Sequence, residues 1–219
     1  MLVIGHRGAA GLAPENTLES LRAGKEAGAD ILEFDVRLTA DDIPILCHDP
    51  AIHGYLVRKS ALSDLKKAGP VVTLSAVLDE FFGEILLNLE YKPMEGVEVV
   101  YELLRKKYVD HQREWDNVII SSFHVRPLWK LRSLSKQVNL ALLHSVNPFA
   151  FVTYNRKLKL AAVGWHRLHV NKLAVEIAKK SKIFTYVYTV NRPQAATLLG
   201  QRDIDAVVTD YPDRIVSKS

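Results

Sequence analysis

Only one cysteine, Cys47, occurs in the 219 residues, which excludes an internal disulfide and suits a reducing compartment. Long apolar runs are missing too: no stretch approaches the roughly 20 residues of a membrane-spanning helix, so no stable membrane insertion is expected. The opening "MLVIGHRG" meets a charged turn after a few apolar residues, too soon for a secretion signal, and the expected location is cytoplasmic. No Pro/Gly/Ser-rich linker interrupts the chain, so residues 1–219 read as one domain. Acids are nearly absent from residues 126 to 182, where twelve Lys/Arg accompany the single Glu176; residues 1 to 50 reverse this, with nine acids against four Lys/Arg. That asymmetry suits an anionic partner or, more simply, a solvated basic face of helix exteriors. No nucleic-acid motif or regular aromatic interleaving accompanies it, so nucleic acid is not an expected partner.

What is present is an alternation. Short β-branched or aliphatic runs fall at Leu2 to Gly5, Ile31 to Val36, Ile85 to Glu90, Val118 to Ser122, Asn139 to Leu143, Ala161 to Gly164, Ile183 to Val187 and Ala206 to Val208. Helical patterns lie between most of them, at Thr17 to Ala27, Leu74 to Phe82, Val97 to Tyr108, Val125 to Leu134, Lys172 to Lys180 and Pro193 to Leu199. The first reads as capped by Asn16, with Glu19 three residues on and Gly28 as its stop. Strand and helix in turn imply a parallel sheet, and eight units fit a (β/α)8 TIM barrel better than an open sheet. Residues 145 to 158 show no clear helix, and only a stub follows the eighth strand.

Within this frame "ILEFDV" places Glu33 and Asp35 two residues apart in a strand that is otherwise apolar. Alternation points both the same way, about 6.6 Å apart along the strand. Two like charges facing a barrel interior repel and lose hydration unless a cation or a proton joins them. A hard divalent ion satisfies both; an arginine partner would satisfy either acid alone. Other polar residues gather at the same strand ends: His6-Arg7 after the first strand, His48-Asp49 after "IPILC", and Asn88, Glu90 and Lys92 alternating in "LLNLEYK". The C-terminal strand ends form the active-site rim of such barrels.

The ordered motifs "GHRG", "PENT", "GADILEFDVRLTADDIPILCHDP", "TLSAVL", "LNLEYK", "SSFH", "YTVN" and "VVTDYP" resemble those of the glycerophosphodiester phosphodiesterases, from His6 to Pro212. The resemblance implies a (β/α)8 barrel, Glu33, Asp35 and Glu90 as ligands of Mg²⁺ or Ca²⁺, and His6 and His48 as the general acid/base pair. It further implies that Arg7 and Lys92 neutralise the substrate's phosphodiester and that Glu15 and Asn16 order the first loop. Ser122 is expected to line the pocket, and Phe123 either to line it or to serve in packing. Two departures stand out. Tyr188 replaces the family's usual tryptophan, and the insertion at about 49–72 is short and lacks the usual acid-arginine pair. Asn191 and Asp210 are expected to cap turns, and His124, His144 and His166 to stay outside the chemistry.

The expected function is metal-dependent hydrolysis of small-molecule glycerophosphodiesters such as glycerophosphocholine to glycerol 3-phosphate and an alcohol. A lysophospholipase D acting on lipids by the same machinery, and a non-catalytic anion-binding barrel, are the alternatives.

Overall fold

A computed structural model describes residues 1–216. The chain runs β1 (Leu2–Gly5), α1 (Leu18–Glu26), β2 (Ile31–Leu38), β3 (Pro44–Leu46), β4 (Ala51–Ile52), β5 (Tyr55–Leu56), α2 (Leu62–Ala68), α3 (Leu74–Phe81) and β6 (Leu86–Tyr91). It continues through α4 (Val97–Lys107), β7 (Val118–Ser122), α5 (Val125–Leu134), β8 (Asn139–His144), α6 (Ala150–Leu158) and β9 (Ala162–His166). The last elements are α7 (Lys172–Lys180), β10 (Phe184–Tyr188), α8 (Pro193–Gly200), β11 (Ala206–Thr209) and α9 (Pro212–Ile215).

Eight parallel strands, β1, β2 and β6 to β11, close into a barrel because β1 pairs with β11 on one side and β2 on the other. This is the expected (β/α)8 architecture with its helices outside. Each strand turns one set of residues outward against the helices, where Phe34, Trp165, Phe151 and Leu21 belong to the main apolar core. The inward set forms a separate plug of small and aliphatic residues, including Ile4, Ile31, Ala141, Ala162 and Val208. That plug fills the N-terminal half and leaves the C-terminal half for polar side chains. The extended "IPIL" segment adds β3 antiparallel to the end of β2, with Val36 opposite Leu46. Residues 49 to 72 hold the β4–β5 hairpin, a 3₁₀ turn and α2, packed on Ile45, Cys47, Val57 and Leu65. No described helix is long and apolar enough to cross a membrane.

Two local expectations are corrected. Thr17, not Asn16, caps α1: its Oγ1 accepts from Ser20 N–H at 3.1 Å. Asn16 lies outside the helix at φ +57°, a conformation Asn tolerates, and its side chain is committed elsewhere. Residues 150–158, expected to lack a helix, form α6. No side chain caps its start, which follows an Asn147 Oδ1 to Phe149 N–H bond at 3.0 Å, and it ends on Lys159 at φ +51° rather than on glycine. The usual start and stop signals are therefore missing although the helix buries Phe151 and Leu158.

The "GHRG" turn leading from β1 has a steric reason for its glycines. A Cβ on Gly5 would stand 2.1 Å from the Gly8 carbonyl oxygen, and one on Gly8, at φ +89°, 2.4 Å from the Ser20 carbonyl carbon. Gly8→Ala is expected to destabilise the protein by about 2 kcal/mol or more, because backbone strain and a backbone clash add. A urea midpoint equal to that of the wild type would refute this.

Candidate active site

Glu33, Asp35 and Glu90 come from neighbouring staves, with Asp35 directly opposite Glu90 across the β2–β6 pair. One carboxylate oxygen from each lies within 4.8 Å of the others. Glu33 and Asp35 are buried, at 4% and 1% exposure, and Glu33 and Glu90 line a pocket together with Asn88, Tyr186, Leu143 and Val208. Asp35 is the hub of the cluster. Lys92 Nζ sits 3.1 Å from its Oδ1 and Arg7 Nε 3.2 Å from its Oδ2. Asn16 brackets it, donating from Nδ2 to Oδ2 and accepting the Asp35 backbone N–H on Oδ1, both at 3.0 Å. Burial alone would raise the Asp35 pKa, but Lys92, Asn16 and Arg7 together outweigh it and hold the group below its usual value.

Glu33 has no such company. It accepts the Arg7 backbone N–H on Oε2 at 2.8 Å, while Oε1 is buried without a partner. Burial, reinforced by the charge of Asp35, pushes it up to about 8. Glu90 accepts from Lys92 Nζ at 2.6 Å, yet burial and Asp35 still raise it. With Glu33 protonated, Asp35 and Glu90 balance Lys92 and Arg7; ionising Glu33 adds one buried negative charge, which a divalent cation would offset. The orphaned Glu33 oxygen and an all-oxygen donor set fit a hard divalent ion.

The first loop is shaped by Arg7, whose φ of +50° aims its N–H at Glu33 while its Nη1 donates to both Glu15 oxygens at 2.8 and 2.7 Å. Glu15 and Asn16 thus fix the two basic and acidic partners of the loop from outside.

His6, at the end of β1, lines the pocket and its charge acts on Glu33; His48, beyond β3, is outside the pocket lining, and its charge acts on Asp35 and Glu90. His6 Nδ1 is 2.5 Å from Asp210 Oδ1, whose Oδ2 accepts from Asn191 Nδ2 at 2.6 Å. An ionised carboxylate only accepts, so Nδ1 carries the proton and Nε2 stays free. His48 Nδ1 meets Asp49 Oδ1 at 2.8 Å in the same manner, and Arg37 fixes the His48 carbonyl with two bonds. Burial would lower the His6 pKa, but the Asp210 bond and the charge of Glu33 raise it.

Asp210 and Asn191, read in the sequence as turn caps, therefore orient His6. The signal is their position after β11 and β10: barrel closure sets β11 beside β1, and β10 lies next to β11. Asp210→Asn is expected to lower the pH midpoint of the His6 imidazole, followed by NMR. Asp210 is held below its usual pKa and His6 above its own, so their pairing stabilises the fold most between roughly pH 4 and 6.5 and fades as pH rises through the His6 titration. The stability deficit of the variant should follow that window; an unchanged His6 midpoint would contradict the assignment.

Ser122 does not face the pocket. Glu90 lies opposite Ser121, so Ser122 points outward, donates to the Tyr91 carbonyl at 2.8 Å and accepts the His124 N–H at 3.1 Å. Phe123 does line the pocket, edge-on to Tyr188 at 5.8 Å, with Lys92 Nζ 5.9 Å from its ring centre. Tyr188 anchors its hydroxyl on the His144 carbonyl, so the wall is aromatic where the family's tryptophan would stand. His124 and His144 are absent from the pocket lining. Cys47 is buried, and burial pushes its thiol up, away from a nucleophile's range.

The enclosed space is about 30 Å³, room for one or two water-sized bodies, so a larger molecule must sit at the open mouth above it.

Comparisons with known proteins bear on the family and the fold. The chain is 27% identical to the glycerophosphodiester phosphodiesterase of Caldanaerobacter subterraneus subsp. tengcongensis, over 99% of this chain and 96% of that one. An Oleispira antarctica phosphodiesterase, solved in complex with the product sn-glycerol-3-phosphate, superposes with a TM-score of 0.87 at 26% identity, covering 98% of this chain and 95% of the other. The Thermotoga maritima glycerophosphodiester phosphodiesterase superposes at 0.82 with 28% identity, covering 97% and 96%. Residues 6–214 match the model of the glycerophosphoryl diester phosphodiesterase family, and the chain belongs to that family.

Proposed function

We propose that the protein hydrolyses glycerophosphodiesters such as glycerophosphocholine to glycerol 3-phosphate and an alcohol. The observation that carries this reading is the buried trio Glu33, Asp35 and Glu90 with its unpartnered Glu33 oxygen, beside two histidines each tied at Nδ1 to an aspartate. The Oleispira relative's glycerol 3-phosphate complex supports the choice of product.

Glu33, Asp35 and Glu90 would hold a Mg²⁺ or Ca²⁺ ion, which supplies Lewis-acid neutralisation of a non-bridging phosphate oxygen when bound. Arg7 and Lys92, already fixed by Asp35, add preorganised positive charge where the transition state gathers negative charge. One histidine takes a proton at Nε2 from the attacking oxygen, and the other donates one to the leaving alkoxide. Asp210 and Asp49 hold the tautomer that leaves each Nε2 available. The single buried thiol suits a cytoplasmic setting for this reaction.

The test is an assay of the purified protein on glycerophosphocholine with a divalent ion added. Glycerol 3-phosphate and choline should appear together. Release of phosphocholine and glycerol would place cleavage on the other side of the phosphorus, and no turnover of any glycerophosphodiester would refute the reading.

A further inference from the structure

The barrel mouth carries two unlike arcs. Loops after β1, β2 and β6 contain the acids Glu15, Asp41, Asp42, Asp49 and Glu95. The loops after β7, β8, β9 and β10 come from four strands adjacent in the barrel, so they form a continuous stretch of rim. Residues 123–129, 145–153, 167–175 and 189–195, which make these loops and the first helical turns, include no Asp or Glu. They do include Arg126, Arg167, Lys172 and Arg192, all exposed. Among the described residues only Arg126 of these has a carboxylate partner, Glu95 at 2.8 Å.

The same arc exposes apolar side chains at its tips: Val146 at 70%, Leu168 at 74%, Leu173 at 56% and Phe123 at 39%. A soluble diester needs the inner cations but gains nothing from leucine and valine held out in water several residues away. Apolar tips interleaved with unpaired cations match a lipid surface with anionic headgroups, where the tips enter the headgroup region and the cations stay at its edge. Phe123 belongs both to this arc and to the pocket wall, so the surface would lie against the active-site opening.

We propose that this acid-free arc docks the barrel mouth onto an anionic lipid surface. Docking stands on the rim alone; that it brings lipid-borne phosphodiesters to the pocket rests on the function proposed above. The residues involved lie in short loops and helix starts, so the attachment is peripheral and adds no spanning segment.

Cosedimentation with vesicles tests it. The protein should pellet at low salt with vesicles of equal parts phosphatidylcholine and phosphatidylglycerol, but not with phosphatidylcholine alone. The paired substitution Val146→Ser and Leu168→Ser, which leaves every charge in place, should reduce binding about tenfold or more. Turnover of soluble glycerophosphocholine should be unchanged in that variant, which also shows that it folds. The proposal is overturned if the wild type stays in the supernatant with anionic vesicles, or if the variant binds as the wild type does. It is equally overturned if the protein binds an oligonucleotide instead of vesicles, or if the substitutions dissolve a dimer that never bound vesicles. Vesicle binding by a protein that turns over no diester would leave docking intact and remove only the proposed chemistry.

Discussion

Asp35→Ala is expected to reduce kcat by about 10³-fold or more, the scale of losing preorganised charge at the transition state. Asp35 is at once a member of the carboxylate trio, the anchor of Arg7 and Lys92, and the partner of both Asn16 bonds. Its removal disorganises the phosphate-facing cations together with the metal site. Asp35→Asn removes the charge alone, since its side-chain amide oxygen can still accept from Asn16. Calorimetric titration with Mg²⁺ or Ca²⁺ should register no binding to either variant. Wild-type turnover in Asp35→Asn would show that the charge at this position is dispensable.

The histidines should fail differently. His6→Ala and His48→Ala are each expected to lower kcat by about 10²- to 10⁴-fold, the usual contribution of a positioned acid or base, while divalent-ion binding survives. The two sets of variants thus split the site into a part that holds charge and a part that moves protons. Wild-type turnover in either histidine variant would remove that residue from the acid/base pair. Loss of ion binding in either would mean the imidazole serves the metal instead.

Much of this architecture is readable from local pattern. Eight apolar runs separated by helical periodicity imply a closed parallel barrel, and "ILEFDV" places two acids on one face of a strand with no apolar reason to be there. Strand alternation is also what makes the reading fragile at its edges. Ser122 is one residue out of phase with Ser121, the residue opposite Glu90, so it bonds a neighbouring carbonyl instead of facing the pocket. Asp210 reads as a turn residue because its partner His6 lies 204 residues away, a distance that only barrel closure removes. Asn16 carries every local mark of a helix cap, yet a buried carboxylate competes for the same amide and wins it, leaving the cap to Thr17. In each case the deciding contact crosses between strands or loops far apart in sequence, where no window along the chain registers it.

The central claim is that Glu33, Asp35 and Glu90 seat a divalent cation the reaction needs. Turnover of glycerophosphocholine, measured after dialysis against excess EDTA and again after adding Mg²⁺ or Ca²⁺, tests it most directly. Activity should vanish with the chelator and return with the ion, and should not return in Asp35→Asn. Full turnover in excess EDTA would contradict the account, leaving the buried trio to Lys92 and Arg7 alone.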